Sequence, residues 1–307
     1  MMASFLQAHT KGATDEAILR ALLYFDIFSH PLTAEEIHLY LPCEASLENI
    51  KDTLSDLCTK GKVFQYGNFY QVQAQADWSV QRLECNQRAD TTLPIAQRMA
   101  RLIGAFPYVR SVCVSGSLSK HCMKADSDVD FFIMTDPGRL WLTRTMLVLF
   151  KKIFLLNSHK YFCVNYFIDT EHLEIEEKNQ FTATEITTLL PLYGPEAYKA
   201  FVTANGWTRL YFPQYPEKDP GLIPAYTKKG LKKILEWLFN GRLGNWLDRK
   251  GMEITLRFWR QKFKQIDQKT FDLALKSRRY VSKHHPMYFQ KKVLDAYQLR
   301  LEAWGFK

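Results

Sequence analysis

The sequence predicts an α+β protein in three parts, and three observations carry that reading. Residues 14–73 show three short helical patterns followed by a hairpin signal. Residues 107–170 alternate short branched or aromatic runs with turns and one long helical stretch, the order of a sheet-based core. From residue 181 onward the apolar spacing is mostly helical. The expected boundaries are 1–76 for a winged-helix-like domain, 77–180 for the core and 181–307 for a C-terminal helical domain.

In the first part, "TDEAILRALLYFDIF" offers Thr14 as an N-cap and then apolar residues at helical spacing. His30-Pro31 breaks that helix. "LTAEEIHLYL" restarts with Thr33 and Glu36 three apart, the capping-box pattern, and Pro42 ends it. "SLENIKDTLSDLCTKG" pairs Ser46 with Asn49 and closes on Gly61. "KVFQYGNFYQV" then turns at Tyr66-Gly67-Asn68. The third helix carries Lys51 and Lys60 but also Glu48, Asp52 and Asp56, a poor surface for nucleic-acid phosphates, so a packing or protein-interaction module is favoured over a DNA reader.

In the second part, residues 78–106 read as helical with an interruption near Pro94. Val109, Val112 and Val114 mark a strand. A helix is expected from about Leu140 to Leu156, and "KYFCVNYFID" forms the next strand. Between the first strand and the helix lies "VSGSLSKHCMKADSDVDFFIM". Asp128 and Asp130 are two apart, so an extended chain projects them to one side while Val129 and Phe131 pack on the other. Two carboxylates so close are costly without a cation between them, and Mg²⁺ characteristically takes one or two carboxylates plus substrate phosphates. Gly116, 12 residues before Asp128, opens a turn in which backbone N–H groups can approach an anion.

That stretch resembles the DNA polymerase β-type nucleotidyltransferase superfamily: an apolar strand, Gly-Ser, a spacer of about ten residues, then Asp-x-Asp among apolar positions, here with Ser127 before it. The resemblance covers roughly residues 107–170. More widely, "YFDIFSHPLTAEEI", "FCVNYFIDTEHLEIEEKNQFTATEI" and "PLYG" look like uncharacterised bacterial proteins joining a winged-helix-like segment to such a domain. It implies a mixed-sheet core, Asp128 and Asp130 as ligands of Mg²⁺ or Mn²⁺, and Gly116 and Ser117 on the triphosphate of ATP or another NTP, with Lys120 as an assisting cation. Nucleotidyl transfer to a hydroxyl of a small molecule, RNA or protein follows. The superfamily's third carboxylate comes from a later strand, where this chain has Asn165; Asp169 has the same facing parity but lies roughly 13 Å further along. With Asn165 in that slot, a non-catalytic nucleotide sensor or regulatory scaffold is the alternative.

The 307-residue chain carries a net charge of +9, unevenly placed. From Gly221 to the end, 20 Lys and Arg stand against seven Asp and Glu, an excess of +13 that leaves the remainder at −4. The excess suggests a polyanion at the C-terminal region, RNA among them. Six scattered cysteines include no C-x-x-C pair, which argues against structural zinc, and His284-His285 has no partner spacing for a metal. The absence of a signal-like or spanning apolar run leads to the expectation of a cytoplasmic protein with no membrane partner.

Overall fold

The computed structural model describes residues 2–156, 160–225, 230–265, 277–283 and 289–306. His284 and His285 lie outside them. The chain is α+β, with a six-stranded mixed sheet and a separate two-stranded hairpin.

The N-terminal part runs α1 (Met2–Asp26), α2 (Ala34–Leu39), α3 (Leu47–Thr59), then β1 (Phe64–Tyr66) and β2 (Phe69–Gln71). Both expected caps form. The Thr33 hydroxyl accepts from the Glu36 N–H at 3.2 Å while the Glu36 carboxylate accepts from the Thr33 N–H at 3.0 Å. Ser46 accepts from the Asn49 N–H at 3.1 Å. Each satisfies a donor that the helix start would leave orphaned. The hairpin turns at Gly67, whose φ of +61° is open to glycine at no steric cost. Thr14 is no cap: α1 begins at Met2 and runs straight through it, and Thr14 is buried within the helix. Ile18, Leu22, Phe25, Ile37, Ile50 and Leu54 form the core of this part.

Helix α4 (Asp77–Gly104) is continuous through Pro94, contrary to the expected interruption. Pro94 removes one backbone donor, but Ala89, Ala96 and Ala100 are almost fully buried on the sheet side, so the close-packed face holds the helix together across the missing bond.

The sheet order is β6-β3-β4-β5-β8-β7, with β3 (Val109–Ser115), β4 (Asp130–Thr135), β5 (Cys163–Asp169), β6 (Leu190–Tyr193), β7 (Ser277–Arg278) and β8 (Val281–Lys283). Only β4 and β5 run parallel, linked by the crossover helix α6 (Leu140–Phe154); the other neighbours are antiparallel. Both faces are covered, which explains the near-continuous apolar run of β4. Phe131 and Ile133 pack with Ala96, Trp141 and Phe167 on one face. Phe132 and Met134 pack with Ile168, Ile186 and Phe201 on the other. The second face is covered by α7 (Gln180–Thr188) and α8 (Pro195–Ala204).

Residues 181–307 are mostly helical, as the spacing suggested, but they do not form a helical domain of their own. They contribute β6, β7 and β8 to the core sheet alongside α9 (Gly230–Leu238), α10 (Arg242–Lys262) and α11 (Phe289–Ala303). These strands are two to four residues long, too short to show alternation, and exist because sheet edges offer them hydrogen-bond partners. Val293 and Leu301 of α11 complete the N-terminal core, and Arg300 reaches Asp26 at 2.7 Å. The boundary expected at 181 therefore separates neither sheet nor core. Among the described residues no helix is long and apolar enough to cross a membrane.

Candidate functional site

Strand β3 ends at Ser115 and the backbone turns at Gly116, with φ of +70°. A Cβ at Gly116 would sit 2.9 Å from Asp130 Oδ2, closer than side-chain carbons come to such an atom. Only glycine allows this turn to lie directly against the carboxylate of the next strand. The following helix α5 (Gly116–Ser119) is a single turn, so it supplies little of the dipole expected there.

Asp130 opens β4 and pairs across to Ser115 and to Cys163. Asp128 lies just outside the strand, not within it as expected. Val129 between them is fully buried and carries the ladder on, accepting from the Cys163 N–H at 3.2 Å. Asp130 thus shares the side of Phe132 and α7, while Val129 packs into the opposite face. Burial pushes the Asp130 carboxyl up to about 6; the charges of Asp128 and Glu185 push the same way, and hydrogen bonds from Cys163 and Asn165 oppose them. Burial, with the Asp130 and Asp128 charges beside it, pushes the Cys163 thiol up to about 12.

Asn165, which the resemblance sets where a third carboxylate is expected, lies directly beside Asp130. The pairing of β4 with β5 slips between Phe131 and Phe132, leaving Asn165 as the extra residue of a bulge. Its Nδ2 donates to Asp130 Oδ1 at 2.6 Å, and its Oδ1 accepts from Cys163 Sγ at 3.2 Å. Asp169 is not part of this group. It pairs with Thr135 at the far end of β4, five residues or roughly 17 Å from Asp130. Its carboxylate is used locally, accepting from the Glu171 and His172 N–H groups at 3.1 and 3.0 Å and from His172 Nδ1 at 2.7 Å. Its expected metal role fails because the extended strand carries it away from the pair.

Two cavities meet at Gly116, Glu185 and Phe289. One, about 430 Å³, lies between the N-terminal part and the core and is lined by Ser117, Lys120 and Ser127 together with Arg82, Arg88 and Lys124. The other, about 270 Å³, is lined by Asp130 and Asn165 at one end and by Phe132, Tyr166 and Phe181 beyond. Gly116, Ser117, Lys120, Ser127, Asp130 and Asn165 therefore share one bipartite cleft, basic on one side and apolar on the other. Asp128 lines neither cavity but acts on Asp130 through its charge.

Glu185 of α7 is the site residue that the sequence did not single out. Its carboxylate accepts from Lys120 Nζ at 2.8 Å and from the Gly116 N–H at 3.4 Å. Lys120 also donates to the Gly116 carbonyl at 3.1 Å. A carboxylate thus rests on the donors that the resemblance assigns to phosphate. The one signal was a lone acidic residue in "FTATEITTLL", indistinguishable from a solvated helix position.

The described residues hold no group of three metal-binding side chains. Asp130 at the cleft, with Asp128 two residues before it, nevertheless suits Mg²⁺, which completes its shell with water and substrate phosphate rather than an all-protein cage. Burial is the main cause of the raised Asp130 carboxyl, and the Asp128 charge adds to it. The chain matches no protein-family model, no curated protein and no solved structure.

Proposed function

We propose that the protein is a Mg²⁺-dependent nucleotidyltransferase that moves a nucleoside monophosphate from an NTP to an acceptor hydroxyl. The observation that carries this reading is the contact of the Gly116 turn with Asp130 at the junction of a basic and an apolar cavity. A glycine turn whose N–H already holds a carboxylate, beside Asp130, would serve the two halves of one metal–triphosphate ligand. Asp128 and Asp130 would hold the ion, which neutralises charge developing on the transferred phosphoryl group when bound.

The remaining steps belong to the chain's own residues. Gly116 N–H, Ser117, Ser127 and Lys120 orient the triphosphate, with Lys124 beside them and Arg82 and Arg88 held in ion pairs with Glu36 and Glu84. Asn165 holds Asp130 in one rotamer through its 2.6 Å hydrogen bond and, being neutral, takes no proton. Glu185 is the carboxylate at the cavity junction that can accept the hydroxyl proton once phosphate replaces it on Lys120 and Gly116.

The test is incubation with Mg²⁺ and each α-labelled NTP in the presence of a cell extract. Transfer of label that disappears in Asp128→Asn and Asp130→Asn supports the reading. Absence of Mg²⁺-dependent NTP binding overturns it. A nucleotide sensor is favoured by one observation, the neutral Asn165 where the resemblance sets a third carboxylate, and predicts binding without transfer.

The N-terminal part is assigned to packing and protein contact. The basic residues of α3 and its end are already paired, Lys51 with Glu35 at 3.2 Å and Lys60 with Asp15 at 3.7 Å. Such pairing leaves little positive charge for a duplex.

A further inference from the structure

Helix α9 is inside out. Its charged residues Lys232 and Glu236 are the buried ones, while Leu231, Ile234, Trp237 and Leu238 are 71%, 60%, 80% and 49% exposed. The arrangement is fixed by specific bonds. Lys232 Nζ donates to the carbonyls of Gly104 and Val109 at 2.6 and 2.9 Å. Glu236 Oε1 accepts from the Tyr108 N–H and from Arg110 Nη1, each at 2.8 Å, and its backbone carbonyl accepts from the Tyr108 hydroxyl at 2.7 Å. The helix cannot roll its apolar face inward without breaking all of these and taking Lys232 and Glu236 away from the buried Gly104 and Val109 carbonyls and the Tyr108 N–H.

The segment that holds α9 and α10 is rich in exposed cations. Within residues 230–265, Lys233, Arg242, Arg249, Lys250, Arg257 and Arg260 are exposed, as are Lys262 and Lys264, and Glu253 is the one exposed carboxylate. Leu243 and Trp246, at the start of α10, are also about half exposed. An outward helix face of leucine, isoleucine and tryptophan in a segment rich in lysine and arginine has a natural complement. Hydrocarbon receives the aliphatic side chains, the interface receives tryptophan, and anionic headgroups receive the cations. Self-association through the same surface would set like charges against one another. Nucleic acid would leave Leu231, Ile234 and Leu238 without a partner, since stacking needs a ring.

We infer that the outward face of α9, with the start of α10, docks the protein onto an anionic phospholipid surface. The expectation of no membrane partner rested on the lack of a spanning run, and a helix lying in the surface plane needs none. This inference is independent of the proposed chemistry.

The experiment uses the full chain in flotation with vesicles of phosphatidylcholine alone and of phosphatidylcholine with roughly a third phosphatidylglycerol, the charge density at which basic segments are attracted. The expected result is at least about tenfold stronger partitioning onto the anionic vesicles, with blue-shifted tryptophan emission and loss at high salt. The double variant Ile234→Glu/Trp237→Glu changes only exposed positions. It should keep the wild-type melting temperature and lose about a hundredfold in partitioning. Failure to bind anionic vesicles, or unchanged binding by the double variant, overturns the inference. So does a dimer or an RNA complex that the same double variant abolishes while vesicles do not bind.

Discussion

Replacing Asp130 with Asn should stabilise the metal-free protein at neutral and alkaline pH. The native carboxyl titrates at about 6 against an ordinary value of 3.8, a shift of roughly two pK units, each worth about 1.4 kcal/mol. Between pH 3.8 and 6 the unfolded chain has released this proton and the folded chain has not, so stability falls as pH rises through that window. Above it the penalty is complete, at about 3 kcal/mol before solvent relaxation. Asn at position 130 removes the charge, keeps the shape and still accepts from Asn165. We expect a gain of about 1–3 kcal/mol at pH 8, a rise in melting temperature of roughly 2–6 °C, and no gain near pH 4. Thermal melts in EDTA across pH 4–8 measure this. Adding Mg²⁺ at pH 8 should raise the melting temperature of the wild type and leave Asp130→Asn unmoved. A variant that is less stable at pH 8, or whose difference from wild type does not change with pH, would refute the claim that Asp130 sits uncompensated beside Asp128 and Glu185.

Gly116→Ala places a Cβ 2.9 Å from Asp130 Oδ2 at a positive φ, so we expect about 1–2 kcal/mol of destabilisation in urea melts and loss of Mg²⁺-NTP binding by calorimetry. Arg82→Met strands Glu36, which Arg82 holds at 2.5 Å from a position 2% exposed; denaturant unfolding should show a loss of about 3 kcal/mol. Pro94→Ala restores a backbone donor within α4 and should stabilise by about 1–3 kcal/mol in the same assay, provided the helix is as continuous as described. Asn165→Asp puts a third carboxylate against Asp130. It should lower the metal-free melting temperature at pH 8 and sharpen the stabilising response to Mn²⁺, both read by calorimetry.

Local chemistry was the legible part of this sequence. The capping box at Thr33 and Glu36, the Ser46 cap and the Gly67 turn involve residues two or three apart, whose geometry hardly depends on the remaining chain. That the Gly116 turn and Asp130 face one cleft was legible too, whereas the place of Asp128, which lines neither cavity, was not. What was not legible depends on distant partners. Pro94 should end a helix by local rules, and the buried alanine face that carries α4 past it has value only against β3. The strand at 190–193 exists because β3 offers it an edge. In α9 the side that faces inward is decided by Tyr108 and Arg110, more than a hundred residues away.

Glu185 shows why the candidate site could be half read and no more. The motif names the groups that the resemblance sets against phosphate and metal, yet it is silent on what neutralises them when neither is present. A lysine and a free backbone N–H beside a low-dielectric cleft draw an anion, and α7 supplies one from 65 residues away. That carboxylate does two opposite things at once. It satisfies Lys120 and Gly116, and it raises the proton affinity of Asp130 by its charge. A bound metal–triphosphate would relieve both, by giving the cradle its phosphate and Asp130 its cation, and would release Glu185 toward the acceptor. On this reasoning Glu185 belongs to the resting state as much as to the reaction. Glu185→Gln should then leave NTP affinity intact or improve it while lowering transfer, a separation that titration calorimetry and the label assay resolve together. If Glu185 were only a structural partner of Lys120, affinity and transfer would fall in step.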